Sequence, residues 1–86
     1  MEFSEYSHML GHHMQQIRRS RNLTQEQVAE LLGMDRVSIG YIEQGRRAPK
    51  LSTLFSLARV YDVDMQEFFS LPSEQHATSQ DDDKKQ

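Results

Sequence analysis

Residues 25–42 read QEQVAELLGMDRVSIGYI, and the spacing within this stretch indicates the fold. Ala29 is followed four residues later by Gly33, six after that by Ile39, and three further by Ile42. Two helices that cross steeply over a short turn need a small residue where their axes approach and a glycine in the left-handed turn. They also need branched apolar residues on the second helix to pack against the first. The stretch therefore predicts two short helices joined by a tight turn, the second projecting outward.

The flanking sequence has the period of helices. Upstream, Leu10 and Met14 are four residues apart and lie on one face of a predicted helix. Thr24 is placed to cap the start of the second helix, a mostly apolar helix follows Pro49, and Asp64 can cap a short last helix. No segment alternates with the two-residue period of a strand. We therefore predict an all-α domain of five short helices with tight turns.

Charge and composition divide the chain into three parts. Residues 1–7 carry two acidic residues and no basic residue, which indicates an N-terminal extension. Residues 8–71 hold eight Lys or Arg and seven Asp or Glu, together with the apolar pattern of the helices, and we assign them to the folded domain. In residues 72–86, PSEQHATSQDDDKKQ, Ala77 is the only apolar residue. Such a segment cannot offset the entropy cost of ordering, so we predict a disordered polar tail.

The sequence argues against several classes of protein. Its 86 residues make one small domain, and there is no Cys to form a disulfide or to bind a metal. No apolar run approaches the ~20 residues that span a bilayer. Residues 1–7 also lack the positive charge of a secretory signal. We expect a cytoplasmic protein without membrane association, cofactor or small-molecule ligand.

Three histidines near the N-terminus raise the question of a metal site. His8 and His12 share a helix face, but the zinc-protease pattern H-E-x-x-H is absent, and two ligands without a third are a weak site. We expect His8, His12 and His13 to be exposed and to bind no metal. No Ser/His/Asp set, phosphate-binding loop or paired acidic site is evident, so we do not expect an enzyme.

Three blocks in register carry a resemblance to a known family. They read TQEQVAELLGM, SIGYIEQGRRAP and LARVYDVDMQEFF, and the similarity runs from about Leu10 to Leu71. The sequence resembles the phage Cro and repressor family of helix-turn-helix domains, also called the xenobiotic-response-element family. The resemblance implies a compact lambda-repressor-like fold of five helices, with the helix-turn-helix at helices two and three. The sequence departs from the family at Leu31, Lys50 and Asp62, where a polar residue, a capping Ser and Gly are usual.

The resemblance also implies which residues contact DNA bases. In such domains the outward helix, here residues 35–44, enters the major groove and presents its first residues to base edges. The planar guanidinium of Arg36 can pair with guanine O6 and N7, and Val37 can contact a thymine methyl group. Tyr41 can contact either a base or a phosphate. The expected base-contact residues are Arg36, Val37, Gly40 and Tyr41.

Phosphate contacts are expected on either side of this helix. Gln25 stands in the first turn of the second helix, where free backbone amides and the helix dipole favour an anion. A basic segment follows the outward helix. The expected phosphate-contact residues are Gln25, Ser38, Gln44, Arg46, Arg47 and Lys50. The family commonly ties its first and third helices with an Arg–Glu ion pair, which the resemblance places at Arg18 and Glu43.

One such domain makes few base contacts, and family members therefore bind palindromes as two-fold dimers, with half-sites ~34–36 Å apart. The surplus of apolar residues near the last helix predicts an isologous interface that includes Phe69 and Leu71. We expect a sequence-specific regulator of transcription, a repressor that binds double-stranded DNA as a homodimer. The alternative is an antitoxin or adaptor that mainly binds a protein partner, for which the short polar tail offers little surface.

Overall fold

The computed structural model describes residues 1–71, so the predicted disordered tail over residues 72–86 lies outside the described residues. Four α-helices and one 3₁₀ helix follow one another in the described part, which contains no strand. The elements are α1 (Phe3–Ser20), α2 (Gln25–Leu32), α3 (Arg36–Glu43), α4 (Leu51–Tyr61) and the 3₁₀ helix Met65–Phe69. The all-α prediction is confirmed, and the fifth predicted helix is the 3₁₀ helix.

Local hydrogen bonds fix the ends of α2 and α3. The Thr24 hydroxyl accepts a hydrogen bond from the Gln27 N–H at 3.1 Å, and the Gln27 side-chain oxygen accepts one from the Thr24 N–H at 2.8 Å. Gly33 ends α2 in the left-handed region at φ 69°, which a residue without Cβ adopts freely. Asp35 then caps α3 by accepting from the Ser38 N–H at 2.8 Å. The short turn between α2 and α3 is therefore specified by residues within it.

The core lies between all five elements. α3 packs against α1 and α2, α2 packs against α4, and the 3₁₀ helix packs against α1 and α4. The rings of Tyr61 and Phe68 meet edge to face with centroids 6.3 Å apart, which docks the 3₁₀ helix onto α4. Burial raises the pKa of the Tyr61 hydroxyl. The clustered core residues are Leu10, Met14, Val28, Ala29, Ile39, Ile42, Leu54, Leu57, Ala58, Tyr61 and Phe68.

Helix α1 begins at Phe3 and so includes most of residues 1–7, and the assignment of this segment as an N-terminal extension stays a prediction. Ser7 is buried, and its hydroxyl donates to the Gly45 carbonyl oxygen at 3.3 Å. The His8 backbone lies against the same glycine, where an added Cβ would be 2.6 Å from the His8 Cα. Tyr6 also packs against the core, four residues before Leu10. This spacing was the available signal for a longer helix, and the sequence pattern started the helix too late.

The backbones of α1 and α3 approach closely at Gly11. A Cβ added to this glycine would lie 2.6 Å from the Glu43 carbonyl oxygen and would also meet the Ile42 carbonyl oxygen. Both obstacles are main-chain atoms, which cannot move by a change of rotamer. Gly11 therefore sets how near α1 comes to α3, and through it the orientation of α3.

Candidate nucleic-acid interface

The residues that α3 buries determine which residues it presents to solvent. Ile39 and Ile42 lie in the core. Arg36 and Val37 are exposed, and Val37 leaves 53% of its surface accessible. Tyr41 lies one turn further along and is half-buried. We call Arg36, Val37 and Tyr41 the outward face of α3.

Two arginines from the loop after α3 fold back over this face. The guanidinium carbon of Arg46 lies 4.7 Å from the centroid of the Tyr41 ring, and that of Arg47 lies 5.2 Å from it. Arg47 also donates to the Ser38 hydroxyl at 3.0 Å, and Arg46 donates to the Gln44 side-chain oxygen at 3.4 Å. The structure thus brings together five of the residues that the sequence assigned to DNA contact. Lys50 is exposed at the start of α4.

The N-terminus of α3 carries an ionised cap. Hydrogen bonds from the backbone and side chain of Ser38 hold the pKa of Asp35 below its ordinary value, and the charge of Arg47 lowers it further. An anion at this end of α3 is also favoured by the helix dipole. The first turn of α3, which presents Arg36 and Val37, is therefore held most firmly when Asp35 is ionised.

This cap makes part of the stability depend on pH. A carboxyl group whose pKa is lower in the folded state stabilises the fold above its unfolded pKa of ~3.9. That contribution disappears as the pH falls through the folded pKa. Asp35→Asn keeps a capping side chain without the charge. We expect the melting temperature of the wild type, relative to that of Asp35→Asn, to fall between pH 5 and pH 2. A difference that stays constant over this range contradicts the assignment.

A buried ion pair joins α1 to α3. The Arg18 Nε donates to Glu43 Oε2 at 2.7 Å, and a second guanidinium nitrogen donates to Oε1 at 3.1 Å. The third nitrogen donates to the Leu23 carbonyl oxygen at 2.7 Å. The side chains of Arg18 and Glu43 expose only 7% and 3% of their surface. The hydrogen bonds to Glu43 raise the pKa of Arg18. The pair ties α1, α3 and the α1–α2 connection together.

Gln25 is attached to this ion pair. Its amide nitrogen donates to Glu43 Oε1 at 2.9 Å, and its side chain is half-buried. The expectation that Gln25 contacts a phosphate remains a prediction. The contact with Glu43 fixes the orientation of the Gln25 amide at the start of α2, next to the outward face of α3.

Comparison with known proteins identifies the family. Residues 14–68, more than half of the 86-residue chain, match the helix-turn-helix family. The chain belongs to the helix-turn-helix family. The resemblance drawn from the sequence is confirmed at this level.

Named relatives of this helix-turn-helix chain are regulators. The HTH-type transcriptional regulator PuuR of Escherichia coli (strain K12) is 40% identical over 62 residues, which are 72% of this chain and 34% of PuuR. Control protein C.SmaI of Serratia marcescens is 36% identical over 61 residues, which are 71% of this chain and 73% of C.SmaI. The matched region thus spans about a third of PuuR and about three quarters of C.SmaI.

Solved structures agree with the fold. The restriction-modification controller protein C.AhdI from Aeromonas hydrophila superimposes with a TM-score of 0.75 at 29% identity, covering 80% of this chain and 100% of C.AhdI. The DNA-binding domain of BldD from S. venezulae gives a TM-score of 0.67 at 34% identity, covering 79% of this chain and 99% of the BldD domain. Both comparisons extend over most of the described helix-turn-helix domain.

Gly40 is not on the outward face of the helix-turn-helix domain, and the expectation that it contacts a base is wrong. It is buried, and a Cβ added to it would lie 3.7 Å from the Gln25 side-chain oxygen and 4.0 Å from the Gln44 amide nitrogen. These side chains cover the backbone at this position. The sequence showed a glycine in mid-helix but not which neighbouring helix would supply the side chain above it.

The space around Gly40 predicts that alanine is accepted there. Its added methyl group makes ordinary van der Waals contacts. Alanine also restricts the unfolded chain and favours the helix. We expect Gly40→Ala to raise the free energy of unfolding by about 0.5–1 kcal/mol, measured by urea denaturation. A loss of stability means that the site is tighter than the structure shows.

The predicted dimer residues separate into two environments. Leu71 is fully buried within its own chain, so the expectation that it lies at an interface is wrong. Phe69 remains 39% exposed. Sequence reasoning did not single out Leu51 as an exposed apolar residue, yet Leu51 and Phe55 expose 73% and 53% of their surface and are one turn apart on α4. Their spacing of four residues was the available signal for an exposed apolar pair on one face of α4. A buried pair has the same spacing, so the signal does not separate the two cases.

The three histidines do not assemble a metal site. His8 and His12 are exposed, whereas His13 is half-buried and its Nε2 lies 2.9 Å from the Glu67 carbonyl oxygen. His13 therefore contacts the 3₁₀ helix instead of solvent alone. Over residues 1–71 no group of His, Cys, Asp and Glu side chains is arranged to hold a metal ion. None of the helices in that range is long and apolar enough to cross a membrane.

Proposed function

We propose that this protein is a sequence-specific regulator of transcription that inserts α3 into the major groove of double-stranded DNA. The observation that carries the proposal is the outward face of α3 in a helix-turn-helix domain, which presents Arg36 and an exposed Val37 and holds the cations of Arg46 and Arg47 at Tyr41. An exposed apolar residue next to an arginine suits a groove that offers both thymine methyl groups and acceptor atoms. The cations of Arg46 and Arg47 suit the phosphates of the DNA backbone.

The contacts divide into two kinds. Arg36 and Val37, in the first turn of α3, are the proposed base readers. Arg46, Arg47 and Lys50 follow α3 and are the proposed phosphate contacts. Gln25, Ser38 and Gln44 are polar residues around the same face, and they complete the proposed phosphate contacts.

We propose that two copies bind a palindromic operator and repress transcription by occupying it. Phe69 is retained as an interface residue, and the exposed Leu51 and Phe55 of α4 replace Leu71. A dimer would bury these apolar side chains and double the number of base contacts. Phe55→Ser should shift the monomer–dimer equilibrium towards monomer in sedimentation experiments. Leu31→Ser, at an exposed leucine on α2, is the control and should not.

Selection from a random duplex library at near-physiological salt tests the function. We expect enrichment of an inverted repeat with half-sites about ten base pairs apart. Adding the protein to in vitro transcription from a promoter that carries this operator should then lower transcript yield. If no sequence is enriched and binding disappears at modest salt, the proposal fails. The antitoxin or adaptor alternative would then be tested by capture of a protein partner.

Two arginine variants separate base reading from phosphate contact. Arg36→Ala should cost about 1–3 kcal/mol of binding free energy and relax the preference at one base pair. Arg47→Ala should weaken binding to all sequences alike and reduce the salt dependence of the affinity. Both expectations are checked by measuring the affinity of each variant at several salt concentrations. The duplexes are the selected operator and its single-base variants. If the two variants behave alike, Arg36 is not a base reader.

A further inference from the structure

Tyr41 differs from the other residues of the outward face in what touches it. The guanidinium groups of both Arg46 and Arg47 lie against its ring, at 4.7 and 5.2 Å from the centroid. Arg47 is held in addition by the Ser38 hydroxyl, one turn before Tyr41 on the same helix. One aromatic ring thus gathers two cations that come from the following loop.

Two like charges that lie against the same ring need a cause. Among the residues that the structure describes, neither guanidinium forms an ion pair, and the carboxylate of Asp35 acts on Arg47 only at longer range. The electron-rich face of the ring attracts both guanidinium groups and can offset part of their mutual repulsion. Stacking also restricts arginine side chains that would otherwise sample many rotamers in solvent.

A pair of arginines held in this way suits phosphate binding. Guanidinium groups bind phosphate oxygens through two parallel hydrogen bonds, and that geometry depends on orientation. When the free protein already holds the side chains in place, binding pays less entropy. The guanidinium groups lying against the half-buried Tyr41 ring also leave less of it available to stack on or read a base.

We propose that Tyr41 is a positioning residue whose ring holds Arg46 and Arg47 as a preformed clamp for the DNA backbone. This inference rests on the proposed function. It changes the role of Tyr41 from reading a base to orienting two phosphate contacts. The aromatic ring of Tyr41 holds the two guanidinium groups, so the Tyr41 hydroxyl group is dispensable.

The test compares Tyr41→Phe, which keeps the ring, with Tyr41→Leu and Tyr41→Met, which keep apolar volume without it. Affinity is measured by fluorescence anisotropy for the selected operator and for a random-sequence duplex, at several salt concentrations. We expect leucine and methionine to weaken binding to both duplexes by a similar factor of about five. Phenylalanine should bind like the wild type. Thermal melting checks that each variant remains folded.

Two further measurements separate positioning from a structural role. In the Arg46→Ala/Arg47→Ala background, Tyr41→Leu should cause no further loss of affinity. In the free protein, NMR relaxation of the arginine Nε–H groups should show Arg46 and Arg47 becoming more mobile in Tyr41→Leu but not in Tyr41→Phe. Unchanged mobility overturns the inference whether or not DNA is bound.

The outcomes distinguish this inference from the proposed function. If the wild type selects an operator and Tyr41→Leu binds both duplexes as tightly as Tyr41→Phe, the clamp is wrong while the function stands. If Tyr41→Phe loses affinity mainly for the operator, Tyr41 reads a base through its hydroxyl and the clamp is wrong. If the wild type selects no sequence, yet Tyr41→Leu weakens binding to the random duplex and frees both arginines, the clamp stands while the proposed function fails.

Discussion

We expect a Gly11→Ala variant to unfold far more easily than the wild type, because the added methyl group has no space between α1 and α3. The new Cβ would lie 2.6 Å from the Glu43 carbonyl oxygen and would also overlap the Ile42 carbonyl oxygen. Neither atom can move away by itself, since both belong to the main chain of α3. The variant must therefore separate α1 from α3, which loosens the core on both helices.

The expected loss is large for a domain of this size. Overpacking a core typically costs about 1–3 kcal/mol, and a clash with backbone on two residues lies at or above the upper end. For a domain of 60–100 residues, 1 kcal/mol shifts the melting temperature by roughly 4–8 °C, so we expect a fall of more than about 10 °C. Gly40→Ala is the matched control, since it makes the same change in a helix with space for the methyl group. If Gly11→Ala melts like the wild type, the close approach of α1 and α3 is wrong.

The α2–α3 unit was predictable because its determinants are local. Gly33 supplies the left-handed turn, while Thr24 and Asp35 cap helices through residues three positions away. The burial of Ala29 and Ile39 follows from their spacing around that turn. Each rule acts within a few residues, so the sequence contains the whole argument.

Several packing contacts that the sequence did not predict join distant segments. Gly11 is constrained by carbonyl groups about thirty residues later. Gly40 is covered by a side chain from α2, and Ser7 donates to a carbonyl in the loop after α3. Leu71 follows the last helix, where periodicity says nothing about which face is covered. The helical period shows on which face of a helix a residue lies, but it does not show which residue packs against that face.

The candidate site was predictable in composition but not in arrangement. The sequence supplied the outward helix and the basic segment after it. It could not show that Arg46 and Arg47 turn back onto Tyr41, because nothing in the order of residues distinguishes a loop that folds over a helix from one that leaves it. It likewise gave Arg18 and Glu43 as a pair without the Gln25 amide that binds the same carboxylate.

The Arg18–Glu43 pair leads to a second large effect, which depends on whether one charge is removed or both. Arg18→Met leaves the Glu43 carboxylate buried with the Gln25 amide as a neutral partner. Glu43→Leu leaves the guanidinium buried beside the Leu23 carbonyl oxygen. Breaking a buried pair in this way costs about 3–5 kcal/mol, and we expect each single variant to lose that much in urea denaturation.

Removing both charges should restore most of the loss, since no buried charge is left and the apolar side chains fill the space. The double variant Arg18→Met/Glu43→Leu is therefore expected to be more stable than either single variant. Arg19→Met, at the exposed arginine next in the chain, is the control and should change stability by less than about 0.5 kcal/mol. Losses that add in the double variant contradict a coupled pair.

If the double variant folds, it also tests Gln25, because the Gln25 amide has then lost the carboxylate that accepts its hydrogen bond. Weaker binding to every duplex would support a phosphate contact by an oriented Gln25. Unchanged affinity would exclude that contact.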